Sequence, residues 1–238
     1  MIKLVPTQMS GAKIKVIGVG GAGGNIINSM MDKGIDGVQF IAINTDAQAL
    51  EMSQADVKIQ IGKNITKGLG AGMKEDVGFK AVEESRDEIE KMLEGSDMVF
   101  ITAGMGGGTG TGAAPAIAHI AKAMNTLVVA IVTKPFVFEG KPRMKLAESG
   151  VQKLSDEIDS LIVIPNERIL DLVGKDTSEE DAFDLANRVL YNATNGISQI
   201  ITKPGKINVD FADVRTIMKD KGEAMMGTGI ATGEGRAA

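Results

Sequence analysis

The 238-residue chain carries 31 acidic against 26 basic side chains, a formal charge of −5, with no cysteine and a single histidine. These counts exclude a disulfide framework, a Cys-ligated zinc site, a thiol nucleophile and a multi-histidine metal cluster, and make a cytosolic compartment the default. No tract of Lys and Arg offsets the acidic balance, so nucleic acid is not the expected main partner.

The first residues, Met1 to Ala12, lack the basic-then-apolar order of a signal peptide and read as a flexible extension. No apolar run approaches the roughly 20 residues of a membrane helix. The length suits one large α/β domain, or one domain with a fragment of a second. Near-continuous apolar runs at 14–19, 38–43, 98–102, 127–132 and 161–164 predict strands covered on both faces, as in a parallel sheet. Helical patterns fall between them over 25–33, 75–93, 112–124 and 141–155. The alternation predicts a doubly wound, mainly parallel α/β sheet, with ligands beyond the carboxyl ends of the strands. A long helix is predicted over 178–202, opened by Ser178 with nearby acids and stopped at Lys203-Pro204-Gly205. At 1.5 Å per residue it is a rod of roughly 37 Å. A second helix is predicted over 213–221, and a strand-like stretch, 224–231, precedes an ending that reads as a cut into a second domain.

Glycine supplies 30 of the residues, roughly twice its usual share, in clusters between predicted elements. Gly18-Val-Gly-Gly-Ala-Gly-Gly-Asn25 leaves a strand and enters a helix, the local chemistry of a phosphate site. By itself it also matches a dinucleotide fingerprint, with Asp46 as a ribose ligand, or a tight turn with no ligand. Gly104-Met-Gly-Gly-Gly-Thr-Gly-Thr-Gly112 is a second glycine loop between strand and helix. Two such loops at neighbouring strand ends fit one polyphosphate held from two sides. No Gly-Lys pair is followed by Ser or Thr, and no Asn-Lys-x-Asp occurs, which excludes a Ras-type site.

The run Ile101 to Pro115, containing Gly106-Gly-Gly-Thr-Gly-Thr-Gly112, resembles the signature of the tubulin superfamily and of its FtsZ branch. Asn44-Thr-Asp-Ala-Gln-Ala-Leu50, Pro135-Phe-Val-Phe-Glu-Gly140, Ile164-Pro-Asn-Glu-Arg168 and Asn208-Val-Asp-Phe-Ala-Asp213 are similar too. The resemblance runs from about Ile14 to Ala238. It implies a GTP-binding domain over 13–177, a long central helix over 178–202, and a catalytic loop with the start of a second domain over 203–238.

The resemblance implies phosphate contacts from Gly20, Gly21, Ala22, Gly23, Gly24 and Asn25, and from Gly104, Gly106, Gly107, Gly108, Thr109 and Gly110. Ala71, Gly72 and Met73 are expected to close over the γ-phosphate. The chain departs from the family there, reading Gly-Met-Lys-Glu-Asp where a further small residue and Asn-Pro are common. Asn44, Pro135, Glu139 and Arg143 are expected around the ribose and phosphates, although Arg143 also reads as a solvated charge. Guanine is expected against Asn166, Phe183 and Asn187. Phe183 and Asn187 are four apart on one helix face, where Phe183 reads equally as a core residue. His119 reads as a packing or surface residue.

Asn208, Asp210 and Asp213 are the expected catalytic groups. Asn187 is separated from Ile201 by roughly 21 Å of helix, so these acids do not reach their own chain's nucleotide. The resemblance implies that they complete the neighbouring subunit's site in a head-to-tail filament, with Mg²⁺ held through phosphates and water. Asp210 and Asp213 also read as helix caps. The implied protein is a GTPase of the mid-cell division ring, with division adaptors bound through a C-terminal tail absent from this sequence. The chain alone is expected to bind GTP but assemble poorly. The alternative is a dinucleotide-binding oxidoreductase module built on Gly18 to Gly23 and Asp46.

Overall fold

A computed structural model describes residues 11–170, 178–202, 210–225 and 232–234. The stop at Lys203-Pro204-Gly205, Asn208 and most of the strand-like stretch after Ala224 lie outside these residues. In chain order the elements are β1 (Ile14–Val19), α1 (Gly20–Lys33), β2 (Val38–Asn44), α2 (Ala47–Glu51), β3 (Val57–Gln60), α3 (Lys63–Thr66), α4 (Glu75–Glu84) and α5 (Arg86–Leu93). Then follow β4 (Met98–Gly104), α6 (Gly108–Ala123), β5 (Leu127–Lys134), a 3₁₀ turn (Val137–Glu139), α7 (Lys141–Ser155), β6 (Ser160–Pro165), α8 (Asn166–Leu170), α9 (Glu179–Thr202), α10 (Phe211–Met218) and β7 (Gly222–Glu223).

The strands pair throughout in parallel in the order β3-β2-β1-β4-β5-β6-β7. This is the doubly wound sheet expected from the alternating apolar runs. The order reverses between β1 and β4, which opens a crevice at their carboxyl ends. One face of the sheet packs Ile17, Val99, Ile101 and Val128 against α4 to α7. The other packs Val16, Phe100, Val129 and Ile131 against α1 and α9. In α9, Ala186, Leu190 and Ala193 turn inward with Ile197 and Ile201 beside them, the spacing of one helix face. Its start is capped as expected: Ser178 Oγ accepts the Asp181 N–H at 3.1 Å.

The differences from the sequence reading have local causes. The single helix expected over 75–93 breaks at Ser85 (φ −108°, ψ 19°), whose hydroxyl accepts the Gly62 N–H instead. The helices expected at 25 and 112 begin at Gly20 and Gly108, because the glycine runs wind into their first turns. That winding lets them seat directly on other backbone. A Cβ on Gly23 would stand 2.8 Å from the Thr102 carbonyl oxygen, and one on Gly112 would meet the Phe79 nitrogen at 2.9 Å.

Helix α6 is therefore clamped between the sheet and α4 with no room for a methyl group. Gly112→Ala is expected to lower stability by about 1–3 kcal/mol, through overpacking against α4. Urea unfolding checks this; an unchanged midpoint would mean that α4 withdraws freely.

Candidate functional site

Two helices, α1 and α6, start over adjacent strands, and each start is bare. Neither Val19 nor Gly107 offers a capping side chain, and neither first turn contains an acid. The short helix α3 and helix α7 also start without a cap or an acid, but four other helices are treated differently. Asp46 caps α2, Asp210 caps α10, and α4 and α5 carry acids in their first turns. A helix start leaves several N–H groups without intrahelical partners and concentrates positive potential. Here two such starts face one cleft of about 490 Å³, lined by Gly20, Gly21, Ala22, Gly107, Gly108, Thr109 and Gly110. An anion is the ligand that this arrangement favours.

The glycines divide into two kinds. Gly23, Gly104, Gly108 and Gly110 are required by packing, since a Cβ on each would press on Gly18, Ala22, Ala71 or Gly104. Gly106 sits at φ +102° against the Arg143 carbonyl oxygen. Gly21, Gly24 and Gly107 are not so constrained: a Cβ there meets no atom within 4 Å, and their φ is not positive. Gly21 and Gly107 border the cleft itself, so the missing side chains leave space for a ligand to approach the backbone. Gly23, Ala71 and Gly106 support the cleft from behind without lining it, while Gly72 and Met73 stand at its rim.

A second cavity, of about 1,400 Å³, adjoins the first and shares Ala22, Thr133, Glu139, Arg143, Asn166 and Phe183 with it. Asn25 and Asn187 border this second part. Asn166 opens α8 and is 4% exposed, yet among the described residues its Oδ1 has no hydrogen-bond partner. A buried carboxamide oxygen without a partner is costly unless a ligand supplies a donor. Phe183 is 42% exposed and packs edge-on against Phe136 at 5.0 Å, which leaves a ring face open at the cleft. Glu139 accepts the Phe136 N–H at 2.8 Å through one oxygen and holds Arg143 at 2.8 Å through the other. Arg143 is thus tethered at the cleft rim and is not a loose surface charge.

Sequence reasoning missed Thr45 and Thr133. Thr133 lines the cleft, and the buried Thr45 hydroxyl pairs with that of Thr109 at 2.6 Å. The quoted Asn44-Thr-Asp motif contained the signal for Thr45. Asp46 borders the cleft, and its Oδ1 caps α2 by accepting the Gln48 and Ala49 N–H groups. The residue therefore has a structural role that the dinucleotide alternative does not need. His119 is exposed and bonded to Glu157 at 2.8 Å, in a groove between α4, α6 and α7 where Lys153 also pairs with Glu75 at 2.7 Å.

The acids at the other end of the chain are not brought to this cleft. Asp210 caps α10 by accepting the Asp213 N–H at 2.8 Å. The same helix bonds through Arg215 to Asn125, in the turn before β5 begins, whereas the cleft lies where β5 ends. From Val128 to Thr133 a strand advances roughly 17 Å. Asn208 lies outside the described residues.

The model of the Tubulin/FtsZ family, GTPase domain, matches residues 13–174. Cell division protein FtsZ of Coxiella burnetii is 57% identical over all of this chain, and that of Pseudomonas aeruginosa is 56% identical. The chain spans 61% and 60% of the lengths of these relatives. Among solved structures, an empty FtsZ dimer from M. jannaschii superposes with a TM-score of 0.87 at 50% identity, over 91% of this chain and 63% of that one. CetZ2 from Haloferax volcanii, solved as a GTPγS-bound protofilament, shares the fold at 23% identity (TM-score 0.76, over 89% of this chain and 64% of that one).

The two kinds of glycine separate in a single substitution. Gly21→Ala is expected to keep or slightly raise the thermal midpoint, because alanine suits a helix better by about 1 kcal/mol. It is expected to weaken binding of inorganic triphosphate about tenfold, through the methyl group placed at the cleft. Titration calorimetry and a melting curve on one sample test both; unchanged affinity would dissociate the bare helix start from anion binding.

Proposed function

The chain belongs to the Tubulin/FtsZ family, and from that premise we propose that it binds GTP in the cleft over β1 and β4 and hydrolyses it when a second subunit supplies Asp210 and Asp213. The observation that carries the reading is the buried Asn166 Oδ1, unpartnered among the described residues, beside two uncapped helix starts. A guanine amide edge supplies the donor that this oxygen lacks, and a triphosphate supplies the anion that the helix starts lack. Asn187 lies near enough along the cavity to share the base, and Phe183 offers it an aromatic face. Residues 13–177 form the nucleotide-binding domain in this reading, with 178–202 as the connecting rod and 203–238 as the catalytic loop and the start of a second domain.

Hydrolysis here is chiefly a matter of position and charge. The N–H groups of Gly21 and its neighbours, and those opening α6, hold the β- and γ-phosphates. Arg143, steadied by Glu139, adds positive charge. When bound, Mg²⁺ would be held through the phosphates and water and would supply further charge neutralisation there. The neighbour's Asp210 and Asp213 orient a water in line with the γ-phosphorus. As the water oxygen bonds to phosphorus, the bond to the β–γ bridging oxygen breaks; GDP leaves and the water proton passes to the acidic loop.

Two features support a head-to-tail contact. The acids stand at the end of the sheet away from the cleft. The cleft is bordered by exposed Leu69 and Met73, with exposed Val137 and Phe138 in the turn between its lining residues Pro135 and Glu139. A contact between unlike ends that does not close gives a linear filament. The relatives are cell division proteins, which extends the proposal to cell division. Filaments at the mid-cell ring, and adaptors bound through a C-terminal tail, belong to the proposal through the family resemblance alone. Among the described residues no helix is long and apolar enough to cross a membrane.

Turnover per subunit is expected to rise with protein concentration, since two subunits make one active site; a flat dependence would refute assembly in trans. Asp213→Ala is expected to lower turnover at least about 100-fold while GTP affinity stays within about twofold. Phosphate release and equilibrium binding measure the two quantities. Asn166→Ala is expected to weaken GTP by about 1–3 kcal/mol and leave inorganic triphosphate nearly unaffected; equal losses for both ligands would remove Asn166 from base recognition.

A further inference from the structure

The loop before β6 places an acid at an unusual depth. Asp159 is 3% exposed. One carboxylate oxygen accepts the Val128 N–H at 2.8 Å. The other accepts the Asp220 N–H at 3.3 Å and stands 3.8 Å from Lys122 Nζ. Its backbone carbonyl accepts the Lys221 and Gly222 N–H groups at 2.8 and 3.1 Å. Beside it, Ser160 Oγ donates to the Met218 carbonyl at 2.7 Å. Lys122 completes the cluster by donating to Asp220 at 3.1 Å and to the Ile158 carbonyl at 3.2 Å. The Lys122 hydrogen bond holds the exposed Asp220 carboxyl below its usual range.

Burying a carboxylate costs several kcal/mol unless it is well paired. The sheet does not require this one, because β5 and β6 already pair along Val129 to Lys134 by backbone alone. What the carboxylate adds is a bond to the chain that leaves α10. Val214 buries one side of that short helix and sets its depth. The bonds from Asp159 and Ser160 hold its far end, and Arg215 ties its flank to Asn125. A helix of this length is roughly 12 Å long. A shift at its pinned end is therefore carried to Asp210 and Asp213 at its start.

We infer that Asp159 is a positioning residue for the acids at the start of α10, and that through them it acts on the nucleotide of the adjoining subunit. The inference rests on the in-trans reading above. It assigns Asp159, at the base of the sheet and far from any phosphate of its own chain, to the turnover step and not to binding. A displacement of about 1 Å at such a site costs on the order of 100-fold in rate.

The test uses the intact protein. Asp159→Asn keeps the shape but cannot accept from Val128 and Asp220 at once. It is expected to lower turnover at saturating GTP about tenfold or more while GTP affinity stays within about twofold. Mixed with Asn166→Ala protein, it is expected to recover turnover above the sum of the two alone, because one supplies the cleft and the other a correctly held α10. A variant that was merely less stable would gain nothing from such mixing. Turnover within twofold of the parent, loss of GTP binding in step with turnover, or no recovery on mixing would each overturn the inference. If Asp159→Asn does not fold, Ser160→Ala decides: the same split at smaller size supports the role, and an unchanged rate overturns it. Asp213→Ala separates the two readings. Turnover kept in Asp213→Ala removes the trans acids and the inference with them; turnover lost there but kept in Asp159→Asn overturns the positioning role alone.

Discussion

Two helices can begin side by side over neighbouring strands only where their first residues have nothing to collide with. A Cβ on Gly20 would approach the Gly110 nitrogen at 3.1 Å, and one on Gly104 would press on the Ala22 methyl group at 2.6 Å. This contact of backbone with backbone sits at the point where the strand order turns from β1 to β4. It brings two bare helix starts into one cleft and makes a concentrated anion site without a lysine among its lining residues. Thr45 and Thr109 bond hydroxyl to hydroxyl behind it, and the Gly106 N–H is held by Thr111 at 2.9 Å. The loops are rich in glycine and yet fixed.

The same sheet separates what it organises. The cleft lies at the carboxyl ends of the strands and α10 lies at the opposite ends, tied there by Asp159, Ser160 and Asn125. A parallel sheet is rigid along its strands because each residue is held by neighbours on both sides. The distance between the two ends is therefore constant, and in the proposed function a pair of subunits is the smallest unit that brings them together. In the proposed function, that constancy is what couples turnover to assembly.

Much of this architecture was legible. The strands at β1, β2, β4, β5 and β6 were readable because helices cover both faces, which leaves apolar runs with little interruption. β3 escaped notice because Val57-Lys-Ile-Gln60 alternates, being half-open, and is four residues long. β7 consists of Gly222 and Glu223 and exists only through its pairing with Ser160 and Leu161. No periodicity marks the break at Ser85 either, since Ser85 leaves the helix to meet Gly62, a residue 23 positions away.

The sequence by itself determined the α/β class, the two glycine loops, and the separation of cleft and acids by one long helix. Each follows from a local property: apolar period, glycine spacing, or helical rise per residue. The tertiary structure decided which glycine does what. Gly23 and Gly21 are indistinguishable on paper, yet one lies against the Thr102 carbonyl and the other opens on the cleft. It also decided that the Asn166 oxygen is buried without a partner among the described residues, that Asp46 is occupied in capping, and that Asp159 anchors a helix more than fifty positions away. These depend on which surfaces meet across the sheet, and such contacts leave no pattern along the chain.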